Sequence, residues 1–118
     1  MVINLTTESF KEKVFDFEKN KDWVFEGDKP SIIKFEALWC GPCKTLTPII
    51  EDLSEEFKDK LDIYKVNVDD EPELSQVFGI KSIPSLLFIP MNEQPQMAMG
   101  AFPKDTLKNA INETLKVE

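Results

Sequence analysis

Segments with strand character and segments with helical character alternate along this chain, and their order constrains the fold more than any other feature. Apolar runs at Val2–Leu5, Ser31–Leu38 and Leu61–Val68 are each followed by a helical pattern, whereas Leu86–Ile89 is followed by another strand, Gln96–Phe102. The order β-α-β-α-β-α-β-β-α predicts an α/β fold: a mixed, mostly parallel sheet, flanked by helices and ending in an antiparallel hairpin. A length of 118 residues predicts a single domain, 1–118.

Four helices are predicted from apolar spacing and from residues that begin or end helices. Thr6 or Thr7 can cap the first, Pro48 falls inside the second, and Gly79 fits the end of the third. The residues that define the helical faces are Phe10, Val14 and Phe17; Leu46, Ile49, Ile50, Leu53 and Phe57; and Leu107, Ala110, Ile111 and Leu115. The polar stretch Lys19–Lys29, which ends in Gly-Asp-Lys-Pro, is predicted to be a loop.

Composition narrows the possible chemistry. The chain has no His and no Arg, so a histidine general base, a Ser-His-Asp triad and His-containing zinc sites are impossible. Its 14 Lys against 22 Asp and Glu give a net charge of −8, which disfavours binding to nucleic acid or to anionic membrane surfaces. No apolar run of about 18 residues is present, so no membrane span is predicted.

The N-terminal residues give an expectation for the cellular compartment of the protein. Met1–Leu5 is followed at once by polar residues, without the apolar stretch of a signal peptide. We therefore expect a cytoplasmic protein, the alternative being a periplasmic one from which an export signal has been removed.

The segment Cys40-Gly41-Pro42-Cys43 contains the only two cysteines, at a predicted strand-to-helix junction. A C-x-x-C turn brings its sulfurs close enough to bond, and a helix N-terminus stabilises a thiolate on the first of them. Cys40 is therefore predicted to be an exposed nucleophile and Cys43 a shielded resolving thiol, which is the arrangement for dithiol–disulfide exchange.

A Cys-x-x-Cys pair has two other common roles in proteins. A purely structural disulfide is disfavoured, because so short a loop constrains the unfolded chain little. Half of a zinc site is disfavoured as well, because the chain has no His and no third Cys to complete the ligands. We predict no metal.

The segment Ala37–Lys44, with Trp39 before the first cysteine and Lys44 after the second, resembles the active site of the thioredoxin family. The similarity extends to Pro48, to Val66–Asp69, to Gly79–Ser85 and to Gly100-Ala101, so it runs from about Val2 to the C-terminus. It implies the thioredoxin fold, and its main length difference is the stretch Lys19–Lys29.

The resemblance also implies roles for individual residues. Cys40 would form a mixed disulfide with a substrate protein and Cys43 would resolve it. Pro84 would be a cis-proline facing the cysteines, and the backbone of Ile83 would pair with the substrate. Asp69 would hydrogen-bond the indole of Trp39. The expected docking surface consists of Trp39, Gly41, Pro42, Ile83, Pro84 and Gly100.

One position departs from the family pattern. Thioredoxins typically carry a buried Asp six residues before the first cysteine, where it helps to deprotonate the second; here that residue is Lys34, while Lys65 matches the usual partner of the Asp. Lys34 and Glu36 share a strand face, so one hypothesis is a Lys34–Glu36–Lys65 cluster in which Glu36, directly or through a water, accepts the Cys43 proton. The alternative is that Lys34 extends to the surface and solvent takes the proton.

The resemblance therefore implies a monomeric protein-disulfide reductase that acts on disulfide-containing proteins and is recycled by thioredoxin reductase. It needs no cofactor besides the Cys40–Cys43 disulfide. Two alternatives stay open at this point: an exported thioredoxin-like oxidoreductase supplied by a membrane donor, and a non-catalytic binding module that uses the surface between Trp39 and Pro84.

Overall fold

A computed structural model describes residues 2–118 and contains the predicted order of elements. The five strands are β1 (Val2–Asn4), β2 (Ser31–Glu36), β3 (Asp62–Asn67), β4 (Ser85–Ile89) and β5 (Gln96–Met99). The four helices are α1 (Thr7–Lys13), α2 (Gly41–Glu56), α3 (Pro72–Val77) and α4 (Lys104–Thr114).

The strands form one mixed sheet in the order β1-β3-β2-β4-β5. β1 and β2 both pair with β3 in parallel, and β4 lies antiparallel between β2 and β5. Four of the five strands therefore run in one direction, and β4 and β5 form the expected antiparallel hairpin. This is the predicted thioredoxin fold.

The two faces of the sheet are covered by different helices, because successive side chains of a strand point to opposite faces. Ile32 of β2 packs with apolar residues of α2 and α4, whereas Ile33 and Phe35 pack with Phe10 of α1 and Leu74 of α3. We call these the α2 face and the α1 face. Lys34 has the parity of Ile32 and therefore lies on the α2 face.

The first helix begins as predicted but ends early. Thr6 caps it, and Thr6 and Ser9 form a reciprocal capping box. Val14 is already its C-cap, so the prediction that Phe17 continues the helical face is wrong. Phe17 instead lies beyond the helix, 6.1 Å from Phe10 between ring centroids, so the apolar pattern reflects packing after the turn.

Strand ends and loops show similar differences. β2 ends at Glu36, two residues before the expected end, and β5 ends at Met99, before Gly100 with its positive φ of 129°. α2 runs without interruption through Pro48. The stretch 19–29 is a loop, as expected, but its Trp23 packs on Phe15 at 4.8 Å between ring centroids and is thus part of the α1 face.

Candidate active site

The two cysteines form a disulfide at the start of α2, with their Cα atoms 5.3 Å apart. Cys40 is the N-cap of the helix, and its Sγ accepts a hydrogen bond from the backbone N–H of Cys43 at 3.1 Å. This N–H is one of those that a helix leaves unpaired at its first turn, so it is available to stabilise negative charge on Cys40. The predicted helix N-terminal position of Cys40 is confirmed.

The burial of the two sulfurs differs from expectation. Cys43 is 2% exposed, as predicted for a shielded thiol, but Cys40 is only 4% exposed. The prediction of an exposed Cys40 is therefore wrong for the disulfide form, because Ile83 and Ala37 pack against the pair. Any difference in reactivity between the two must come from the helix terminus and from their neighbours, and not from exposure in this state.

The loop before β4 faces Cys40. The Ile83–Pro84 peptide bond is cis, and the Ile83 carbonyl oxygen lies 3.8 Å from Cys40 Sγ. The N–H of Gly100 donates to the Pro84 carbonyl at 2.9 Å, which joins this loop to the end of β5. The structure therefore brings Ile83, Pro84 and Gly100 together beside the disulfide. Pro84 itself is buried, whereas Ile83 and Gly100 are partly exposed.

An exposed apolar rim lies on the other side of Cys40. Trp39 is 70% exposed, and its indole N–H donates to Asp69 at 2.8 Å, which is the hydrogen bond expected from the resemblance. Gly41 and Pro42 are exposed too, and a Cβ on Gly41 would meet nothing within 4 Å. The expected docking residues thus surround Cys40, with open space above the turn between the cysteines.

Behind Cys43, on the α2 face, Lys34 is buried with 2% of its surface exposed. Its ammonium lies 2.6 Å from Glu36 Oε1 and donates at 2.9 Å both to the Cys43 carbonyl and to Thr47 Oγ1. An ammonium has three N–H donors, so these three partners satisfy it. The alternative in which Lys34 extends to the surface is wrong, and the predicted pairing with Glu36 is present.

Lys65 does not join the ion pair. It is the Cα partner of Lys34 on the neighbouring strand, yet within residues 2–118 it forms no ion pair. The expected three-residue cluster is wrong in this respect, because Glu36 pairs with Lys34 and the partly exposed Lys65 is left to water.

A small cavity of about 40 Å³, with both polar and apolar walls, adjoins the pair. This is room for a water molecule, and the walls offer the polar partners that a buried water needs. Cys43 is not among the residues that line the cavity, but its neighbour on the helix face, Thr47, is. Its walls are formed by Val2, Lys34, Glu36, Thr47, Ile50, Glu51 and Lys65.

Three residues near the site were not predicted from the sequence. Thr47 follows Cys43 by one helical turn, and that spacing could have placed it on the same helix face. Its hydroxyl donates to the Cys43 carbonyl at 3.1 Å. Leu38 and Met99 are large, exposed apolar residues beside Trp39 and Gly100, which only the folded structure reveals.

No helix within residues 2–118 has both the length and the apolar character needed to cross a membrane. The same part of the chain contains no group of three or more Cys, Asp or Glu side chains arranged as metal ligands.

A disulfide-bonded Cys-x-x-Cys pair capping a helix, a cis-proline loop beside it and a five-stranded mixed sheet beneath define a class of protein, the thiol–disulfide oxidoreductases with a thioredoxin fold. The Thioredoxin family model matches residues 1–113. Thioredoxin of Borreliella burgdorferi is 45% identical over 113 residues, which cover 96% of this chain and 97% of that protein. Thioredoxin of Rickettsia felis is 37% identical over 98% of this chain and 100% of its own length.

A plant relative is similar over a shorter span: the chloroplastic M-type thioredoxin of Spinacia oleracea is 39% identical over 80% of this chain and 52% of that protein. The chain belongs to the thioredoxin family. It is a thiol–disulfide oxidoreductase of the protein-disulfide reductase type, with Cys40 and Cys43 as its redox pair.

Proposed function

We propose that Cys40 attacks disulfides of substrate proteins and that Cys43 resolves the mixed disulfide. The observation that supports this order is the hydrogen bond from the Cys43 N–H to Cys40 Sγ at the start of α2. It stabilises negative charge on Cys40, whereas Cys43 is buried within the first turn of α2.

The reaction is a two-electron exchange in two steps. The Cys40 thiolate attacks one sulfur of the substrate disulfide, a bond forms between Cys40 and that sulfur, and the other substrate sulfur leaves as a thiolate. Cys43 then loses its proton and attacks the Cys40 sulfur. The Cys40–Cys43 bond forms, the second substrate thiolate leaves, and two protons convert both substrate sulfurs to thiols.

Glu36 is proposed as the acceptor of the Cys43 proton, through water in the adjoining cavity. Its carboxylate lines that cavity and is held in place by Lys34 at 2.6 Å. A positioned base can accelerate such a step by about 10² or more. Thr47 also lines this cavity, and its hydroxyl donates to the Cys43 carbonyl.

Glu36→Gln tests this role, with Glu51→Gln as its control because Glu51 lines the same cavity without contacting Lys34. In single-turnover experiments, Glu36→Gln should slow resolution of the mixed disulfide at least tenfold and leave the first attack by Cys40 unchanged. Glu51→Gln should change neither step. An unchanged resolution rate in Glu36→Gln would show that solvent accepts the proton.

The physiological cycle is proposed to take place in the cytoplasm, in a monomer that receives its electrons from thioredoxin reductase. Reduction of insulin should be accelerated by the protein with dithiothreitol, and also with thioredoxin reductase and NADPH. Acceleration with dithiothreitol alone would point to another electron donor. No acceleration over the blank in either case would leave only a binding module.

Trapping of substrate proteins distinguishes the two cysteines. Cys43→Ser should accumulate mixed disulfides, because Cys40 still attacks and nothing resolves the product. Cys40→Ser should trap none. Equal trapping by the two variants would contradict the assigned order.

A further inference from the structure

Lys34 is the only buried charged side chain among residues 2–118, and two of its three hydrogen bonds are to α2, at the turn that carries Cys43. A buried ammonium is unfavourable unless it is fully paired, so its place beneath the disulfide requires an explanation. Its partners on the helix are the Cys43 carbonyl and Thr47, both at 2.9 Å. The positive end of the Lys34–Glu36 pair therefore contacts the backbone of the second cysteine.

We propose that Lys34 is a positioning residue of the redox site: it fixes the first turns of α2 and provides the positive charge beside which Cys43 ionises during resolution. This inference rests on the proposed function, because only a resolving Cys43 has to become a thiolate. A nearby cation favours the thiolate over the thiol.

The other charged groups around Cys43 do not provide the same interaction. From α2, Glu51 lines the cavity and Lys44 follows Cys43 in an exposed position. From β3, Lys65 lines the cavity but is partly exposed to water, which screens its charge. β4 contributes only uncharged residues, since Leu86 and Ser85 are its register partners for β2 near this point.

Glu36 counteracts part of this effect. Its carboxylate neutralises Lys34 at 2.6 Å, but it has no hydrogen bond to Cys43, whereas the ammonium has one. Removal of Lys34 should therefore disfavour the Cys43 thiolate, and removal of the Glu36 charge alone should favour it. The two substitutions have opposite signs, which a general loosening of the structure would not produce.

The experiment uses the Cys40→Ser protein, in which Cys43 is the only thiol, and follows thiolate absorbance as pH is raised. Adding Lys34→Met should lower the thiolate fraction at a given pH about tenfold, because removing a nearby opposite charge shifts such an equilibrium by that factor or more. Lys65→Met, the matched control, should lower it less than threefold. Glu36→Gln should raise it.

A second variant separates the effect of the lost charge from an effect of misfolding. Lys34→Met leaves the Glu36 charge without its partner, whereas the pair Lys34→Met and Glu36→Gln removes both charges together and leaves no unpaired charge. This double variant should fold, as shown by cooperative unfolding, and should still have less thiolate than the parent. Equal effects of Lys34→Met and Lys65→Met, or no effect in the double variant, would overturn the proposal.

These outcomes are distinct from failure of the proposed function. If the protein reduces insulin normally but Lys34→Met does not change the thiolate fraction of Cys43, the proposed function stands and this inference is wrong. A protein that fails to reduce insulin loses the proposed function, whatever the thiolate titration shows.

Discussion

The two faces of the sheet differ in what they bury. The α1 face holds eight of the aromatic rings of residues 2–118, and the α2 face is mainly aliphatic but accommodates the charged Lys34. The rings of the α1 face are Phe10, Phe15, Phe17, Trp23, Phe25, Phe35, Tyr64 and Phe78. Since α2 carries the cysteines, the buried charge lies on the face where the redox chemistry takes place.

The difference separates the sources of stability and of activity. Aromatic rings bury large apolar areas and stabilise the fold without offering groups for proton or charge transfer. On the α2 face, the Lys34–Glu36 ion pair occupies a position where apolar side chains could pack, and its ammonium contacts α2. Substitutions on the α1 face should therefore change mainly the free energy of unfolding, and substitutions around the disulfide mainly the activity.

Phe10→Ala should have the largest effect on stability. Its ring is fully buried and packs edge-on against Phe78 at 5.5 Å between centroids, so truncation should lower the free energy of unfolding by about 3–5 kcal/mol. Urea unfolding measures this, and the insulin-reducing activity of the folded fraction should be unchanged.

Trp39→Ala is the matched aromatic truncation at the disulfide. Because Trp39 is 70% exposed, its loss should lower the free energy of unfolding by less than about 1 kcal/mol. The same substitution should lower insulin reduction severalfold, because it removes part of the proposed docking surface. A similar loss of stability in both variants would remove the contrast between the two regions.

On the α2 side of the molecule, the features that depend on local sequence patterns were predicted correctly. The spacing of the cysteines and the periodicity after them placed Cys40 at a helix N-terminus, and strand alternation placed Lys34 and Glu36 on one face. The sequence did not decide whether Lys34 is buried. That depends on the first turns of α2 lying over β2, where the Cys43 carbonyl and Thr47 meet the ammonium.

The α1 side was predicted less well, for a different reason. Phe17 has helical spacing from Phe10, and Trp23 lies in a stretch that is otherwise polar. Both are held by ring contacts after the helix has ended, and such contacts between irregular segments have no period for a sequence pattern to reveal.

A smaller effect is expected where Asp69 holds the exposed Trp39. Asp69→Ala removes the acceptor of the indole N–H and should lower the free energy of unfolding by about 1 kcal/mol or less. Insulin reduction should fall severalfold because Trp39 is no longer fixed beside Cys40. Asp70→Ala is the control, since it removes the same charge one residue away and leaves the indole bond intact. Equal losses of activity would assign the effect to charge alone.

The smallest effect concerns the one titratable ring on the α1 face, and it appears only in alkali. Burial raises the pKa of Tyr64 above its usual value of 10, and the negative charges of Asp62 and Asp28 act in the same direction. Because this is the only tyrosine in the chain, the absorbance of tyrosinate reports on it alone. The titration should therefore occur at higher pH in the folded protein than in urea.

The sign of the accompanying change in stability follows from linkage. Below pH 10 the ring is protonated in both states, so stability does not depend on it; above pH 10 the unfolded tyrosine ionises first, and the folded state loses stability. At pH 11 the loss is at most about 1.4 kcal/mol. Tyr64→Phe should abolish this loss of stability. Subtracting the free energies of unfolding of the two proteins at each pH removes the contributions of all other ionisable groups, which the two proteins share. If that difference were constant from pH 9 to pH 11, the α1 face would not hold the phenol in its neutral form.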